Sequence, residues 1–289
     1  MAVLERTSSA LRGLVGRLRP ADGGAAPSAA AAPSRTLTVE ALQALGLQRQ
    51  PFRDDAGADE LFADEAIEMN LNTLAEQLRS GMMLPLLKGE PGSGKTSLLI
   101  QLMARAQQES QFFVCRAQPE LTADRIIVDM LRVIARPVPA DAGECFRQLA
   151  RRLRTLVEQG PPAALVIDDA HLLSDRDLGH VLVAYDSLRK VLRGRFRLVL
   201  AADPSIELRL PQLRSEQLDA GQVIAASLRP LGRARLGPYL AWRLETAGAH
   251  PRDLPLTEEM LDRIAAASDD LPRSVETAAT AELNAHYER

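Results

Sequence analysis

Short apolar runs alternate with longer helical patterns through the middle of the chain. The runs cover residues 82–87, 111–115, 163–167, 197–202 and 222–228, and each has the length of a buried strand. Between them apolar residues recur at helix spacing, most regularly over residues 141–159. Strands that alternate with helices form parallel sheets covered on both faces. The pattern therefore predicts an α/β fold with a five-stranded parallel sheet and helices on both faces.

Helical patterns without strands flank this region on both sides. They cover residues 38–47, 65–78, 237–247, 257–267 and 274–287. The last three of these patterns follow the final strand without interruption by another one. They predict a small C-terminal helical lid domain. We place the boundary so that residues 36–231 form the α/β domain and residues 232–289 form the lid.

The first 35 residues differ from the rest in composition. Residues 1–20 are rich in Arg and poor in acids, with Leu and Val on one helical face. Three interpretations stay open: a helix that lies on an anionic membrane or docks on a partner, a targeting peptide, or a frayed N-terminus. Residues 21–35 are mainly Ala, Pro, Gly and Ser, which is typical of a flexible tether. We therefore predict an arm on a linker over residues 1–35.

The composition narrows the class of protein. The net charge is −3, so no overall basic field favours nucleic acid, and aromatic residues make up only 3%. The two cysteines lack metal-ligand spacing, which is typical of reduced thiols in a cytosolic protein. The apolar runs are far shorter than the ~20 residues of a membrane-spanning helix. We expect a cytoplasmic chain, and a peripheral position at the inner membrane stays open through the N-terminal arm.

A glycine-rich loop stands between the first predicted strand and the helix after it. Residues 89–96 match the pattern G-x-x-x-x-G-K-[ST] at every fixed position. Glycines let backbone N–H groups surround a polyphosphate, and the helix adds its positive N-terminal end. Lys95 would reach the β- and γ-phosphates, and Thr96 would bind Mg²⁺. We predict that ATP and Mg²⁺ bind to Gly89, Glu90, Pro91, Gly92, Ser93, Gly94, Lys95, Thr96 and Ser97.

Carboxylates follow two further predicted strands. Asp168 and Asp169 come directly after the third strand, and Asp203 comes after the fourth. Ligands of parallel sheets bind at the carboxyl ends of the strands, where these residues and the loop meet. We predict that Asp168 holds Mg²⁺ with Thr96 and that Asp169 orients the attacking water. The alternative for the Asp pair is a strand-to-loop turn with capping carboxylates.

Several stretches of the chain, in order, resemble one group of AAA+ ATPases. The phosphate loop and the Val-Ile-Asp-Asp-Ala-His-Leu-Leu stretch at 166–173 resemble its two nucleotide motifs. Four further stretches resemble other motifs of the group. They are the Pro-Phe segment at 45–52, L-x-P-L at 228–231, Y-x-x-x-R-L at 239–244 and P-R at 271–273. The group is that of ExeA, GspA and DamX, bacterial AAA+ proteins with a helical lid. The resemblance covers residue 45 to the C-terminus and implies a P-loop NTPase that works as a nucleotide-dependent motor or switch, often as an oligomer.

The resemblance also implies roles for individual residues. Arg273 would be the second sensor, which binds the nucleotide from the lid, and Asp203 would be the first sensor beside the γ-phosphate. Pro51 and Phe52 would lie near the adenine. Together with Lys95 and Asp169, the two sensors complete the predicted catalytic set.

The chain departs from the family pattern at three places. Asp169 stands where these ATPases commonly have Glu, and Asp203 stands where they usually have Asn or Gln. The stretch 218–221 lacks the Arg that the family often places before the fifth strand, and Arg214 is the nearest substitute. An arginine finger is worth roughly 10³- to 10⁵-fold in rate. These departures predict slow hydrolysis.

The favoured function is a slow ATPase that switches a bacterial envelope, secretion or cell-division assembly. We expect a homo-oligomer that acts on an unidentified protein partner. One alternative is a nucleotide-stabilised scaffold with little hydrolysis. The other, a DNA-linked ATPase of the transposition type, is less favoured. It rests on arginine-rich clusters at 151–154 and 189–197, the first of which is more typical of a solvated helix face.

Overall fold

A parallel sheet lies at the centre of this computed structural model, which describes residues 35–53, 61–213 and 223–288. Its strands are β1 (Leu84–Lys88), β2 (Gln111–Arg116), β3 (Ala163–Asp168), β4 (Phe196–Ala202) and β5 (Val223–Ser227). Their order in the sheet is β2-β3-β4-β1-β5, and every neighbouring pair is parallel. The predicted five-stranded parallel sheet is confirmed.

Helices cover both faces of this sheet, and the last three of them are the C-terminal helices that the sequence predicts as a lid. The helices are α1 (Val39–Ala44), α2 (Glu65–Ser80), α3 (Lys95–Ala106), α4 (Ala123–Ile134), α5 (Ala142–Gln159), α6 (Asp175–Val191), α7 (Ile206–Leu213), α8 (Gly232–Thr246), α9 (Glu258–Ala266) and α10 (Pro272–Tyr287). Side-chain oxygens cap several N-termini, because Ser, Thr and Asp can accept a first-turn N–H. Asp64 begins α2 in this way and Ser174 begins α6.

Alternate residues of the strands enter two separate cores. On β3, Leu165 and Ile167 pack with α4, α5 and α6, whereas Ala164 and Val166 pack with α2 and α3. This alternation is the period of two of a β-strand, and both sets are apolar because both faces are covered. The near-continuous apolar pattern of the predicted strands has this origin.

A third core joins the C-terminal helices to the start of the described chain. Leu37, Ala41 and Leu45 pack with apolar residues of α8, α9 and α10, among them Leu240 and Val275. The side chain of Asn284 also bonds the backbone of residues 36 and 38. Residues 37–52 therefore pack against the lid helices.

Two helices differ from the sequence-based prediction. The prediction contained no helix at α7, whose pattern is short and interrupted by Pro211. Helix α8 begins at Gly232 rather than near residue 237, and it contains Pro238. Proline lacks an N–H donor and disfavours helix interiors, so a pattern-based prediction misses α7 and places the start of α8 too late.

Some expectations concern residues outside the described ranges. These are the N-terminal arm and linker up to residue 34, Arg214, and the stretch 218–221. Within the ranges that the structure describes, no helix combines the length and apolarity needed to cross a bilayer.

Candidate functional site

A cavity of about 400 Å³ lies between the phosphate loop and the lid. Residues 91–98 line one side of it. Arg235, Tyr239, Trp242, Arg273 and Glu276 line the other side. The cavity is at the carboxyl edge of the sheet, as expected for a ligand site in this type of fold. It has room for a small-molecule ligand.

The loop itself has the backbone of an anion-binding site. Gly92 and Gly94 have φ values of 88° and 96°, in the left-handed region that other residues rarely adopt. No side chain caps α3 at Gly94, so its first N–H groups have no side-chain acceptor there. The buried Ser93 Oγ also lacks a hydrogen-bond partner among the described residues. An anion in the loop would satisfy these donors.

Lys95 is buried without a direct counter-ion. The residue is only 5% exposed, and its Nζ donates hydrogen bonds to the carbonyls of Gly89 at 2.8 Å and Glu90 at 3.1 Å. Burial lowers the pKa of Lys95, and the charges of nearby carboxylates, Asp169 foremost, oppose that effect. In the described chain no carboxylate pairs with this ammonium. A bound phosphate would supply the missing negative charge.

Thr96 and Asp168 form the pair expected for Mg²⁺. Thr96 Oγ1 donates a 2.6 Å hydrogen bond to Asp168 Oδ2. Asp168 is fully buried, and burial together with the charge of Asp169 raises its pKa. No cluster of three or more acidic, His or Cys ligands occurs in the described ranges. The pair therefore fits a Mg²⁺ ion that takes its other ligands from phosphate and water, which is how Mg²⁺ usually binds with nucleotides.

Asp169 has an unusual backbone and a charged partner. Its φ of 54° is in the left-handed region, which Asp tolerates better than most residues. Its Oδ2 accepts a 3.1 Å hydrogen bond from Arg116 Nε, and both residues line the cavity. Arg116 was not among the site residues predicted from the sequence. The signal was present, because Arg116 follows the predicted second strand at the same edge as the Asp pair.

The two expected sensors differ in position. Arg273 lines the cavity, and its backbone N–H donates to Gly92 O at 3.3 Å, so the lid contacts the loop directly. A Cβ added to Gly92 would lie 3.0 Å from the Cβ of Arg273, which shows how close this approach is. Asp203 is not among the residues that line the cavity, whereas His171 is. The structure thus brings Lys95 and Arg273 to the cavity and sets Asp203 back.

A buried polar cluster lines the lid side of the cavity. Glu276 accepts hydrogen bonds from Tyr239 Oη at 2.7 Å and from Arg35 Nη1 at 2.9 Å, and Arg243 pairs with it at 3.1 Å. Glu276 and Arg243 are only 5% and 8% exposed. Burial, followed by the charge of Glu276, raises the pKa of Tyr239 well above its ordinary value. Tyr239 and Arg243 belong to the Y-x-x-x-R-L stretch, whereas no sequence pattern links them to Glu276 or Arg35, which the fold brings in from distant parts of the chain.

Aromatic rings stand beside this cluster. Phe62 lies 5.5 Å from Tyr239 and 5.8 Å from Trp242 between ring centroids, and all three line the cavity. Phe52, which the resemblance placed near adenine, is instead 2% exposed and packs with the lid core. Neither it nor Pro51 is among the lining residues, although Arg53 is. The apolar wall of the cavity therefore consists of other residues than the resemblance implied.

The comparisons with known proteins agree with this architecture. Residues 77–210 match the family described as AAA domain. The fold is similar to that of Cdc6p from Pyrobaculum aerophilum, with a TM-score of 0.60, 20% identity, and coverage of 80% of this chain and 62% of that chain. It is also similar to Orc1 from Aeropyrum pernix, solved in complex with DNA, with a TM-score of 0.56, 20% identity, and coverage of 81% and 65%. A Walker-type ATPase of Pyrococcus abyssi gives a TM-score of 0.58, 16% identity, and coverage of 83% and 73%.

These likenesses concern the fold, because the identities are 20% or lower. The chain spans less than two thirds of the length of the Cdc6p and Orc1 chains. None of the curated proteins matches it. The family match covers the phosphate loop, Asp168 at the end of β3, Asp169 directly after it, and the end of β4. Residues 77–210 therefore resemble an AAA domain, and the described part of the chain has the P-loop AAA+ fold with C-terminal helices.

Proposed function

We propose that this chain binds ATP with Mg²⁺ at the phosphate loop and hydrolyses it slowly. One observation carries the proposal. The buried Lys95 ammonium and the bonded pair of Thr96 and Asp168 lie together at the base of the loop, and no carboxylate of the described residues pairs with Lys95. A bound triphosphate would pair with the Lys95 ammonium and accept hydrogen bonds from the N–H groups of the loop, so this arrangement favours its binding.

Each part of the site has a separate task in binding. The N–H groups of the loop and Lys95 would hold the phosphates, while Arg273 would approach them from the lid. Thr96 and Asp168 would hold Mg²⁺, which when bound neutralises phosphate charge. The rings of Phe62, Tyr239 and Trp242 offer an apolar surface to the base. That the base is adenine is supported by the resemblance to ATPases.

Hydrolysis would depend on Asp169. Its carboxylate lines the cavity and would orient a water molecule for attack on the terminal phosphate. The hydrogen bond from Arg116 competes for that carboxylate. Asp is also shorter than the Glu that is common at this position in the family. Both features support slow turnover.

Nucleotide binding can be tested by equilibrium titration with a fluorescent ATP analogue, with and without Mg²⁺. We expect Lys95→Ala to weaken binding at least about tenfold, because it removes a charge-assisted contact from a buried site. Lys190→Ala is the control, since Lys190 pairs with Asp186 on the surface of α6. Equal affinities of the wild type and Lys95→Ala would show that the nucleotide does not bind at this loop.

We further propose that the chain acts as a homo-oligomeric switch on a protein partner. The support is the resemblance to ExeA, GspA and DamX, which belong to envelope, secretion and cell-division assemblies. The lid contact from Arg273 to Gly92 would couple nucleotide state to lid position. Sedimentation of the full chain with ATP and with ADP tests the first step. The proposal requires a larger assembly with ATP, and identical sedimentation in both states would contradict it.

The DNA-linked alternative gains no support from the second arginine cluster. Arg197 is buried and donates to Leu78 O at 3.1 Å, at the end of α2. Arg195 donates to Gly160 O at 2.7 Å, and Arg189 to Gly81 O at 3.3 Å. These guanidinium groups bond backbone carbonyls, so they are less available to phosphates of DNA.

A further inference from the structure

Asp203 uses its carboxylate within its own turn. Oδ1 accepts hydrogen bonds from Ser205 N at 3.0 Å and Ser205 Oγ at 2.5 Å. Partial burial opposes ionisation, but the bonds from Ser205 and nearby positive charge, including that of Lys95, outweigh it and lower the pKa of Asp203. The group is therefore a carboxylate that is bonded within the turn before α7, and it does not line the cavity. A different side chain faces the ligand at this point of the site.

That side chain is His171, which lines the cavity and also contacts Asp203. Its side chain is 15% exposed. Nδ1 accepts the backbone N–H of Asp203 at 3.3 Å, and Nε2 lies 3.7 Å from Asp203 Oδ2. Because Nδ1 is an acceptor, the neutral ring carries its proton on Nε2. Among the described residues no acceptor lies within hydrogen-bonding distance of this N–H.

The backbone of His171 is held by its connection to β3 and by hydrogen bonds from α7. Ala170–Leu172 form a 3₁₀ turn directly after Asp169. Arg209 of α7 donates to His171 O at 2.7 Å and to Leu173 O at 2.6 Å, and it pairs with Asp175 at 2.7 Å. The turn is therefore tied both to β3 and to α7, which follows β4.

We propose that His171 is the donor that contacts the terminal phosphate of ATP, and that Asp203 is a positioning residue that acts through His171. This inference rests on the proposed function. A bare carboxylate would repel phosphate oxygens, whereas an imidazole N–H donates to them. The arrangement resolves the departure seen in the sequence, where Asp replaces a neutral sensor residue. Since ADP has no terminal γ-phosphate, the contact favours ATP over ADP.

The test is the ratio of the affinities for ATP and ADP, measured with a non-hydrolysable ATP analogue and ADP. We expect His171→Ala to lower the affinity for the ATP analogue about tenfold, the value of one charge-assisted hydrogen bond, and to change ADP affinity less than about twofold. His171→Gln should restore part of the preference, because its amide can accept from Asp203 N–H and also donate. His180→Ala is the control, since His180 is exposed on α6.

A double-mutant cycle tests the role of Asp203. Asp203→Ala should reduce the preference for the ATP analogue in the wild type and have no further effect in the His171→Ala background, because residues that act through each other are not additive. Equal losses of ATP and ADP affinity in His171→Ala would overturn the proposal, as would additive effects of the two substitutions. Binding of neither nucleotide by the wild type would instead refute the proposed function itself.

Discussion

Arg116 Nε donates a 3.1 Å hydrogen bond to Asp169 Oδ2, which joins the last residue of β2 to the first residue after β3. The two strands are neighbours in the sheet, so the ends of both reach the cavity. The carboxylate proposed to orient water is therefore already engaged by a cation. We therefore expect this hydrogen bond to limit the rate of ATP hydrolysis.

Replacing Arg116 should release Asp169. We expect Arg116→Gln to raise the single-turnover rate of ATP hydrolysis roughly three- to tenfold, because the carboxylate becomes free to contact water. The affinity for ATP should change little, since we propose that Lys95 and the loop, and not Arg116, hold the phosphates. Rapid-quench measurement of phosphate release checks the rate. A slower Arg116→Gln variant with unchanged affinity would mean that Arg116 assists hydrolysis instead of restraining Asp169.

Asp168 is a buried carboxylate, and its ionised form is unfavourable in the folded chain. Burial raises its pKa, so the folded chain binds this proton more tightly than the unfolded chain. The ionised group therefore lowers the free energy of unfolding at neutral pH, and this cost disappears as the pH falls through the folded-state pKa. We expect Asp168→Asn to stabilise the nucleotide-free chain at pH 7 by about 1 kcal/mol and to abolish the effect of Mg²⁺ on ATP affinity.

Urea unfolding with and without nucleotide measures both effects of Asp168→Asn. Asp124→Asn serves as the control, because Asp124 is exposed in the first turn of α4. A lower unfolding midpoint for Asp168→Asn without nucleotide would contradict the assignment of a destabilising buried charge. Retained Mg²⁺ dependence would contradict the assignment of Asp168 as a metal ligand.

Glu276 should be important for stability. Its removal leaves the guanidinium of Arg243 buried without a carboxylate, and breaking a buried ion pair in this way costs about 3–5 kcal/mol. We therefore expect Glu276→Ala to reduce the free energy of unfolding by about that amount. Glu282 lies on the same helix as Glu276 and forms a more exposed pair with Arg263 of α9. Glu282→Ala should therefore reduce the free energy of unfolding by at most about 1 kcal/mol. Equal losses for both variants in urea unfolding would refute the structural role of Glu276.

The sequence predicts those parts of the site in which a residue of the required chemical type stands directly beside a recognisable strand or helix pattern. The phosphate loop has fixed glycines because its backbone needs left-handed conformations, as at Gly92 and Gly94. Asp168 could be placed because it ends an apolar run that becomes the fully buried β3. The fold follows from the same alternation of strand and helix patterns.

Contacts between distant segments could not be predicted in this way. Arg35 and Glu276 are 241 residues apart, and neither stands in a pattern that indicates the other. Arg116 meets Asp169 only because β2 and β3 are adjacent, which the order of strands along the chain does not specify. Asp203 did carry a local signal, since Asp followed by Pro and Ser favours a turn that uses the carboxylate.

The most direct test of the account is single-turnover hydrolysis of ATP by the purified full chain. The wild type, Lys95→Ala and Asp169→Asn are compared at enzyme concentrations above the dissociation constant for ATP. The account predicts that the wild type binds and slowly cleaves ATP, that Lys95→Ala does neither, and that Asp169→Asn binds ATP without cleaving it. A wild type that binds ATP but cleaves it no faster than Asp169→Asn would contradict the account and favour a nucleotide-stabilised scaffold.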